Sequence, residues 1–404
     1  MTRSQVTRSQ MTRPAGPIAI VVHADMPGDP RIRRQAEALT DAGYEVDIFC
    51  LRERGQPPFE SSGGLRVHRL PVRRRFESFA GHLAEYAAFA GLATLALTRE
   101  HRRRRYRLLQ VATLPDFLVA SGAVLKLRGV PLLLDLHEDM PAFFDDRFTA
   151  RPLRPLRPLI AGVARASAAM ADALITVHEP LRSLSIARGV APDRITVVMN
   201  SPDEQLFDPG RHARRPFMED GQLRLVHHSS LQRVYGADIA VEAVARLGDL
   251  DVRLDVYGDG PYRTQIEAAI RRTRTEERVT LHGRVPLDTL PELLVASDLG
   301  LVPTRPEAYA EYSLSTKFLE YAWIGVPIIA SDLKTFRSHF SDAAVRYVPG
   351  GDPAALAAAI RTAALDPDAA RSMAAEAQRQ ARPYGWRAQA QRYLSVVERL
   401  MAGR

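Results

Sequence analysis

Short β-branched runs alternate with helical stretches along almost the whole chain, and this rhythm limits the fold more than any other feature. IAIVVH (18–23) is followed by a helix-like RIRRQAEALTDAG (31–43) and then by EVDIFCL (45–51). Pro30 suits the first turn of that helix, where its missing N–H costs nothing, and Gly43 suits its C-terminal stop. LRVHRLPV (65–72), RLLQVA (107–112), PLLLDLH (131–137), ALITVH (173–178) and ITVVMN (195–200) continue the series. The rhythm then restarts with LRLVHH (223–228), VRLDVYG (252–258), RVTLHG (278–283), LGLVP (299–303), VPIIAS (326–331) and AVRYV (344–348), and the last 40 residues read as helical. Strands that are apolar nearly throughout, with helices between them, predict parallel sheets covered on both faces, an α/β class. In such sheets ligands sit outside the carboxyl ends of the strands.

With 404 residues the chain is too long for one ordinary domain. Between the two series lies SPDEQLFDPGRHARRPFMEDGQ (201–222), rich in Pro, Gly and charge, which reads as an interdomain linker. The expected boundaries are a disordered extension over 1–16, a first domain over 17–205, a linker over 206–222, a second domain over 223–384 and a closing helical segment over 385–404. MTRSQVTRSQMTRPAG has no apolar run and is not a secretory signal, and Met11 is a candidate start. Cys50 is the single cysteine, which excludes an internal disulfide and points to a reducing, cytoplasmic setting. The stretch from Phe79 to Leu97 is long enough to cross a membrane. Its Ala and Gly content, with His82 and Glu85, reads instead as a largely buried helix. The runs Arg73–Arg75 and Arg102–Arg105 beside it read as solvated clusters, or as a peripheral contact with the anionic inner face of a membrane. The net charge is +8, carried by 52 arginines and three lysines against 47 acids, while aromatics are only 7%. Without aromatics interleaved among the basic residues, this charge does not imply a nucleic-acid partner.

Several loops carry residues able to do chemistry. In HADMPGDPR (23–31), Gly28 would let the backbone approach a ligand, and the helix start after it could face an anion. There is no GxGxxG, which argues against a dinucleotide site. PLLLDLH ends in His137, placed at a strand's carboxyl end for hydrogen bonding or proton transfer. His23, His178, His227, His228 and His282 also follow strands, so position alone does not single out His137. Neither HExxH nor a Cys/His cluster is present, so no metal site is expected. The sharpest signal is SLSTKFLEYAWIGVPIIAS (313–331). Lys317 and Glu320 share a helix face near its start, and a helix N-terminus with a lysine makes a cradle for phosphates. Ser315 or Thr316 could cap that helix. Glu320 could accept hydrogen bonds from two ribose hydroxyls. A surface ion pair would not explain why one of only three lysines stands here, since arginine would serve it equally well.

This stretch resembles the retaining GT-B glycosyltransferases of family 4, whose P-x-K-x-x-E-Y-x-x-x-G-x-P-V-I-A-S-like signature stands here as Ser315–Tyr321, Gly325, Pro327 and Ile328–Ser331. DPRIRRQAEALTDAGYEVDIFC (29–50), LPDFLVASG (114–122), LLLDLHEDMP (132–141), ITVVMNSPDEQLFDP (195–209), LDVYGDGP (254–261) and VTLHGRVP (279–286) are similar to further signatures of that family. The resemblance implies two Rossmann-like domains facing across a cleft. A nucleotide sugar (UDP-, GDP- or dTDP-linked) would bind as donor substrate to the second domain, with no tightly bound cofactor. A glycan, lipid-linked or natural-product acceptor would bind mainly to the first. By motif, Lys317, Arg233 and Gly28 would meet the donor diphosphate and Glu320 the ribose. Gly258, Gly283, Arg284 and Val285 would meet the base. Tyr312, Leu314 and Ser315 would surround the donor sugar, and His137 would lie at the reacting centre.

The sequence also departs from the family pattern. Many members carry Glu, seven residues, Glu; here Tyr312 stands at the first position, with Glu311 one place off. In SSLQRVYGAD (229–238), Tyr235 stands where many members have Lys and Ser230 near the place of an Arg, leaving Arg233 as the available cation. The first loop has one glycine where many have two. These departures leave two alternatives beside glycosyl transfer. One is an epimerase or pseudo-glycosyltransferase coupling enzyme on the same scaffold, and the other is a non-catalytic partner subunit.

Overall fold

The computed structural model describes residues 16–26, 28–72, 79–147, 155–307, 310 and 314–403. The chain divides into two compact units, one running to Val198 and resuming at Ala390, the other comprising Met199–Gln389.

Strands of the first unit are β1 (Ile18–Asp25), β2 (Val46–Leu51), β3 (Phe59–Ser62), β4 (Leu65–Leu70), β5 (Leu108–Ala112), β6 (Leu132–Leu136), β7 (Ala173–Thr176) and β8 (Ile195–Val197). They form one sheet in the order β3-β4-β2-β1-β5-β6-β7-β8, parallel except for β3. β1, β2, β5, β6 and β7 are buried almost along their lengths, as apolar strands covered on both faces must be. β3 has the sequence FESS and is exposed throughout, so it carries no apolar pattern from which it could be foreseen.

The helices of this unit are α1 (Pro30–Asp41), α2 (Phe79–Arg104), α3 (Ala123–Leu127), α4 (Met140–Arg147), α5 (Arg157–Met170) and α6 (Glu179–Ala187). α2 is not largely buried, contrary to expectation. It inserts a narrow stripe, Glu85, Phe89, Ala93 and Leu97, at four-residue spacing, and leaves Leu83 and Leu95 exposed. No helix among the described residues is long and apolar enough to cross a membrane. At the end of α2, Arg104 turns to Glu45 and Asp47, while Arg73–Arg75 lie outside the described residues. The expected helix after β5 is a 3-10 segment, Asp116–Gly122, before it becomes α3.

In the second unit the strands are β9 (Leu223–His228), β10 (Val252–Tyr257), β11 (Val279–Gly283), β12 (Leu299–Val302), β13 (Ile328–Ser331) and β14 (Arg346–Val348). They pair in parallel in the order β11-β10-β9-β12-β13-β14. Its helices are α7 (Ala237–Ala245), α8 (Arg263–Thr273), α9 (Leu290–Val295), α10 (Thr316–Ile324), α11 (Lys334–Arg337), α12 (Pro353–Leu365) and α13 (Pro367–Ala381). α14 (Trp386–Ala402) begins in this unit and continues into the residues of the first.

Residues 201–222 are not a free tether. Arg214 donates to the Gly325 and Ser297 carbonyls, the Met218 amide donates to Asp298 Oδ1 at 3.0 Å, and Phe207 is fully buried. The stretch is polar because it lacks regular structure and must satisfy its backbone by other means.

Strand order reverses between β1 and β5 in the first sheet and between β9 and β12 in the second. At such a switch the connecting helices leave to opposite faces and open a crevice above the strand ends.

Candidate functional site

In the second unit, the loops after β9 and β12 meet at the switch point. Gly236 has φ +68°, and a Cβ there would stand 1.9 Å from the Pro303 carbonyl oxygen. Only glycine lets the β9 loop lie on the β12 loop. Gly258, after β10, is equally tight: its φ is +130°, a Cβ would meet the Ser229 carbonyl at 1.8 Å, and its amide donates to the Gly283 carbonyl at 2.7 Å.

α10 follows β12 and brings the sharpest motif to this crevice. Ser315 has extended dihedrals at the cap position, but its side chain makes no capping hydrogen bond, contrary to expectation. Lys317 lies in the first turn. The residue is only 3% exposed. Its Nζ has no hydrogen-bond partner among the described residues and lies 4.6 Å from the centroid of the Tyr235 ring. Burial pushes the ammonium down to about 7, with Glu320 pulling the other way. A buried amine left in this state is costly unless a ligand completes it.

Glu320 does not bond Lys317. It accepts from His228 Nε2 at 2.6 Å, and His228 Nδ1 lies 3.1 Å from the Tyr321 hydroxyl. An ionised carboxylate only accepts, so the Nε2 proton belongs to this contact. The Tyr321 hydroxyl, 3.2 Å from the Val226 carbonyl, anchors the ring from the other side. Neighbouring His227 is fully buried between the Leu301 carbonyl (3.1 Å) and Ser229 Oγ (3.0 Å). Burial and the charge of Lys317 hold it well below the usual histidine range, so it is neutral and Nδ1 donates to the carbonyl. The sequence singled out neither histidine of the pair; the doubled His at a strand's carboxyl end was the available signal.

The remaining residues of this unit are more open. Arg233 is exposed and ion-paired to Glu307, while Arg305 forks onto Asp238 at 3.0 and 2.7 Å. Gly283 has φ +76° with open space where a side chain would be, Arg284 is exposed and Val285 is half-buried. Leu314 and Ser315 are half-buried before α10; Tyr312, like Glu311, lies outside the described residues.

In the first unit, His137 follows β6. Its amide donates to Thr113 Oγ1 at 3.0 Å, and its Nε2 lies 3.2 Å from Asp135 Oδ2 without the alignment of a hydrogen bond. Asp135 is fully buried and receives Arg31 Nε (3.1 Å), Arg31 Nη2 (2.5 Å) and Gln35 Nε2 (2.8 Å). Burial alone would raise this carboxyl, but Arg31 and His137 beside it hold it well below the usual carboxylate range. The expected anion cradle at Gly28 is already occupied by protein. Asp29 accepts the first free amides of α1, from Arg31 (3.0 Å) and Ile32 (3.1 Å), and a Cβ on Gly28 would stand 2.2 Å from Asp25 Oδ2. Two carboxylates at this loop disfavour a further anion.

Comparison with known proteins gives a consistent result over both units. The family described as Glycosyl transferase 4-like domain matches residues 28–201, and that described as Glycosyl transferases group 1 matches residues 222–366. The 2-deoxystreptamine glucosyltransferase of Streptomyces kanamyceticus is 24% identical over 318 residues, 74% of this chain and 79% of that protein. The D-inositol 3-phosphate glycosyltransferase of Thermomonospora curvata is 26% identical over 393 residues, 89% of this chain and 88% of that protein. Among solved structures, sucrose-phosphate synthase from Thermosynechococcus elongatus is similar in fold with a TM-score of 0.78. It is 21% identical, and the match covers 96% of this chain and all of that one. HepE of Anabaena, solved with UDP and glucose, has a TM-score of 0.69 at 17% identity, covering 95% of this chain and all of that one.

Proposed function

The chain belongs to the GT-B glycosyltransferases of family 4 type, a hexosyltransferase class of enzyme, and from that membership we propose that it is a retaining enzyme using a nucleotide-sugar donor. The acceptor is a hydroxyl of a glycan, lipid-linked or natural-product molecule. The names of two relatives specify cyclitol acceptors, 2-deoxystreptamine and D-inositol 3-phosphate, which supports a compact polyhydroxylated one.

In this reading the donor diphosphate lies at the amino end of α10. Lys317 supplies a full charge there and the first-turn amides of the helix supply partial ones. Arg233 joins them by exchanging Glu307 for a phosphate oxygen. Glu320, oriented by His228, takes the ribose hydroxyls. The base rests on the backbone at Gly258 and at Gly283–Val285. Leu314 and Ser315 border the transferred sugar; the family motif assigns Tyr312 the same role and makes His137 the catalytic candidate of the first unit. As the bond from C1 to the leaving phosphate oxygen breaks, negative charge grows on the diphosphate while C1 becomes oxocarbenium-like. Cations and helix-end amides fixed before the reaction stabilise that charge without reorganising.

One observation carries the reading: a lysine buried at a helix N-terminus, with no hydrogen-bond partner among the described residues. The test is a thermal-shift screen of UDP-, GDP- and dTDP-sugars. A true donor at 100 times its dissociation constant stabilises the protein by about 2.7 kcal/mol. A shift with one base series and not the others is the expected result. No shift with any of the three contradicts the reading.

A further inference from the structure

The surroundings of Lys317 hold a feature that the donor-binding reading does not use. Its natural counter-ion, Glu320, is taken by His228 at 2.6 Å, so the ammonium is left with an aromatic face for a neighbour. That face belongs to Tyr235, the last residue of the 3-10 turn Arg233–Tyr235. The next residue is Gly236, locked at φ +68° against the Pro303 carbonyl. The backbone that carries the ring is therefore fixed independently of the lysine the ring faces. An aromatic face attracts a cation through its quadrupole and, unlike a carboxylate, takes none of its three N–H donors.

We propose that Tyr235 is the positioning residue of the donor site, holding the Lys317 side chain at the amino end of α10 while leaving its N–H donors, unpartnered among the described residues, for the donor diphosphate. The proposal rests on the reading of Lys317 as the diphosphate group. Among the described residues, the ionisable groups acting on the lysine are few. Glu320 on its own helix favours the charged form. His227 on β9 is neutral, His228 is engaged with Glu320, and Tyr235 presents its ring. Burial outweighs the pull of Glu320 and leaves the free ammonium at about 7. The sign follows. In the free enzyme Lys317 loses its proton as pH rises through that value, and a bound diphosphate restores it. Affinity is therefore full at low pH and declines above about 7, by up to about tenfold per pH unit.

The experiment is isothermal titration at pH 6, 7 and 8, in buffers of different ionisation enthalpy. The probe is whichever of UDP-glucose, GDP-mannose and dTDP-glucose binds most tightly; their diphosphates keep a fixed charge over this range. The expected proton uptake is near zero at pH 6 and approaches one at pH 8, a count that depends on no variant folding. Tyr235→Phe keeps the ring and behaves as the wild type. Tyr235→Leu binds about three- to thirtyfold more weakly at pH 8, the range of a partly or fully desolvated cation–π contact, with a smaller deficit at pH 6. Lys317→Met loses the pH dependence. Binding by none of the three sugars, or full-strength binding by Lys317→Met, overturns the underlying assignment of the diphosphate. Binding that needs Lys317 but takes up no proton at pH 8, or that survives Tyr235→Leu unchanged, overturns this inference alone.

Discussion

A lysine that is 3% exposed and has no hydrogen-bond partner among the described residues weakens the fold that holds it. In the unfolded chain a lysine titrates near ~10.4, whereas burial leaves Lys317 at about 7. Between these values the unfolded state binds the extra proton, so this residue's cost is greatest below pH 7 and fades as pH rises toward 10. Lys317→Met should therefore raise Tm at pH 7 more than at pH 9.5 by calorimetry, and lower kcat/KM about ten- to a hundredfold. Equal Tm together with normal turnover would sink the assignment. Asp116 carries a similar cost with the opposite pH dependence. Burial, together with Asp139 and against Arg188, pushes its carboxyl up to about 7, and its Oδ1 has no hydrogen-bond partner among the described residues. Here the folded state binds the extra proton, so stability is lost as pH rises from about 4 to 7. Asp116→Asn should stabilise by about 1–3 kcal/mol at pH 8 and by less at pH 4.5. An equal gain at both pH values would contradict the argument. Neither burial was legible in the sequence. The spacing of Lys317 and Glu320 puts them on one helix face but does not say what that face meets.

At the scale of elements, the strands were legible because an apolar strand buried on both faces leaves a continuous run of Val, Ile and Leu. β3 escaped because FESS is polar and lies exposed at a sheet edge. The stretch 201–222 reads as an interdomain linker because packed irregular backbone and a linker share the same composition, and its bonds to Ser297, Gly325 and Asp298 show the packing. The Gly28 loop carries a related ambiguity. A helix start preceded by Asp can be capped by that Asp instead of being open to an anion, as Asp29 caps this one. Gly236 makes the strongest prediction at this scale. Alanine there would need φ +68° and would meet the Pro303 carbonyl, a backbone group that cannot swing away. Gly236→Ala should separate the β9 and β12 loops, lower stability by about 1–3 kcal/mol and weaken nucleotide-sugar binding at least tenfold. Wild-type donor affinity in this variant, measured by titration, would show that the loop contact does not shape the site.

At the scale of the whole molecule the chain passes between two α/β units twice, after Val198 and again within α14, whose residues from Ala390 belong to the first unit. Tyr393 on that helix donates to Gln110 Oε1 at 2.5 Å, and Gln110 Nε2 donates to Gln35 at 2.7 Å. Gln35 in turn bonds Asp135, which Arg31 also holds. This buried chain runs from the C-terminal helix through the first sheet to the carboxylate beside His137. Tyr393, Val396 and Val397 are also fully buried, each worth about 1.5–3 kcal/mol of apolar burial. Removing residues 390–404 should therefore lower hydrogen-exchange protection across β1, β5 and β6 while leaving β9–β13 and nucleotide binding intact. Uniform loss across both units would contradict it. The central claim, that the amino end of α10 receives the donor diphosphate, is tested most directly by a crystal structure of the protein with its bound nucleoside diphosphate. The account predicts a phosphate oxygen about 2.8 Å from Lys317 Nζ and the ribose hydroxyls on Glu320. A diphosphate bound elsewhere, with Lys317 still facing only the Tyr235 ring, would contradict it.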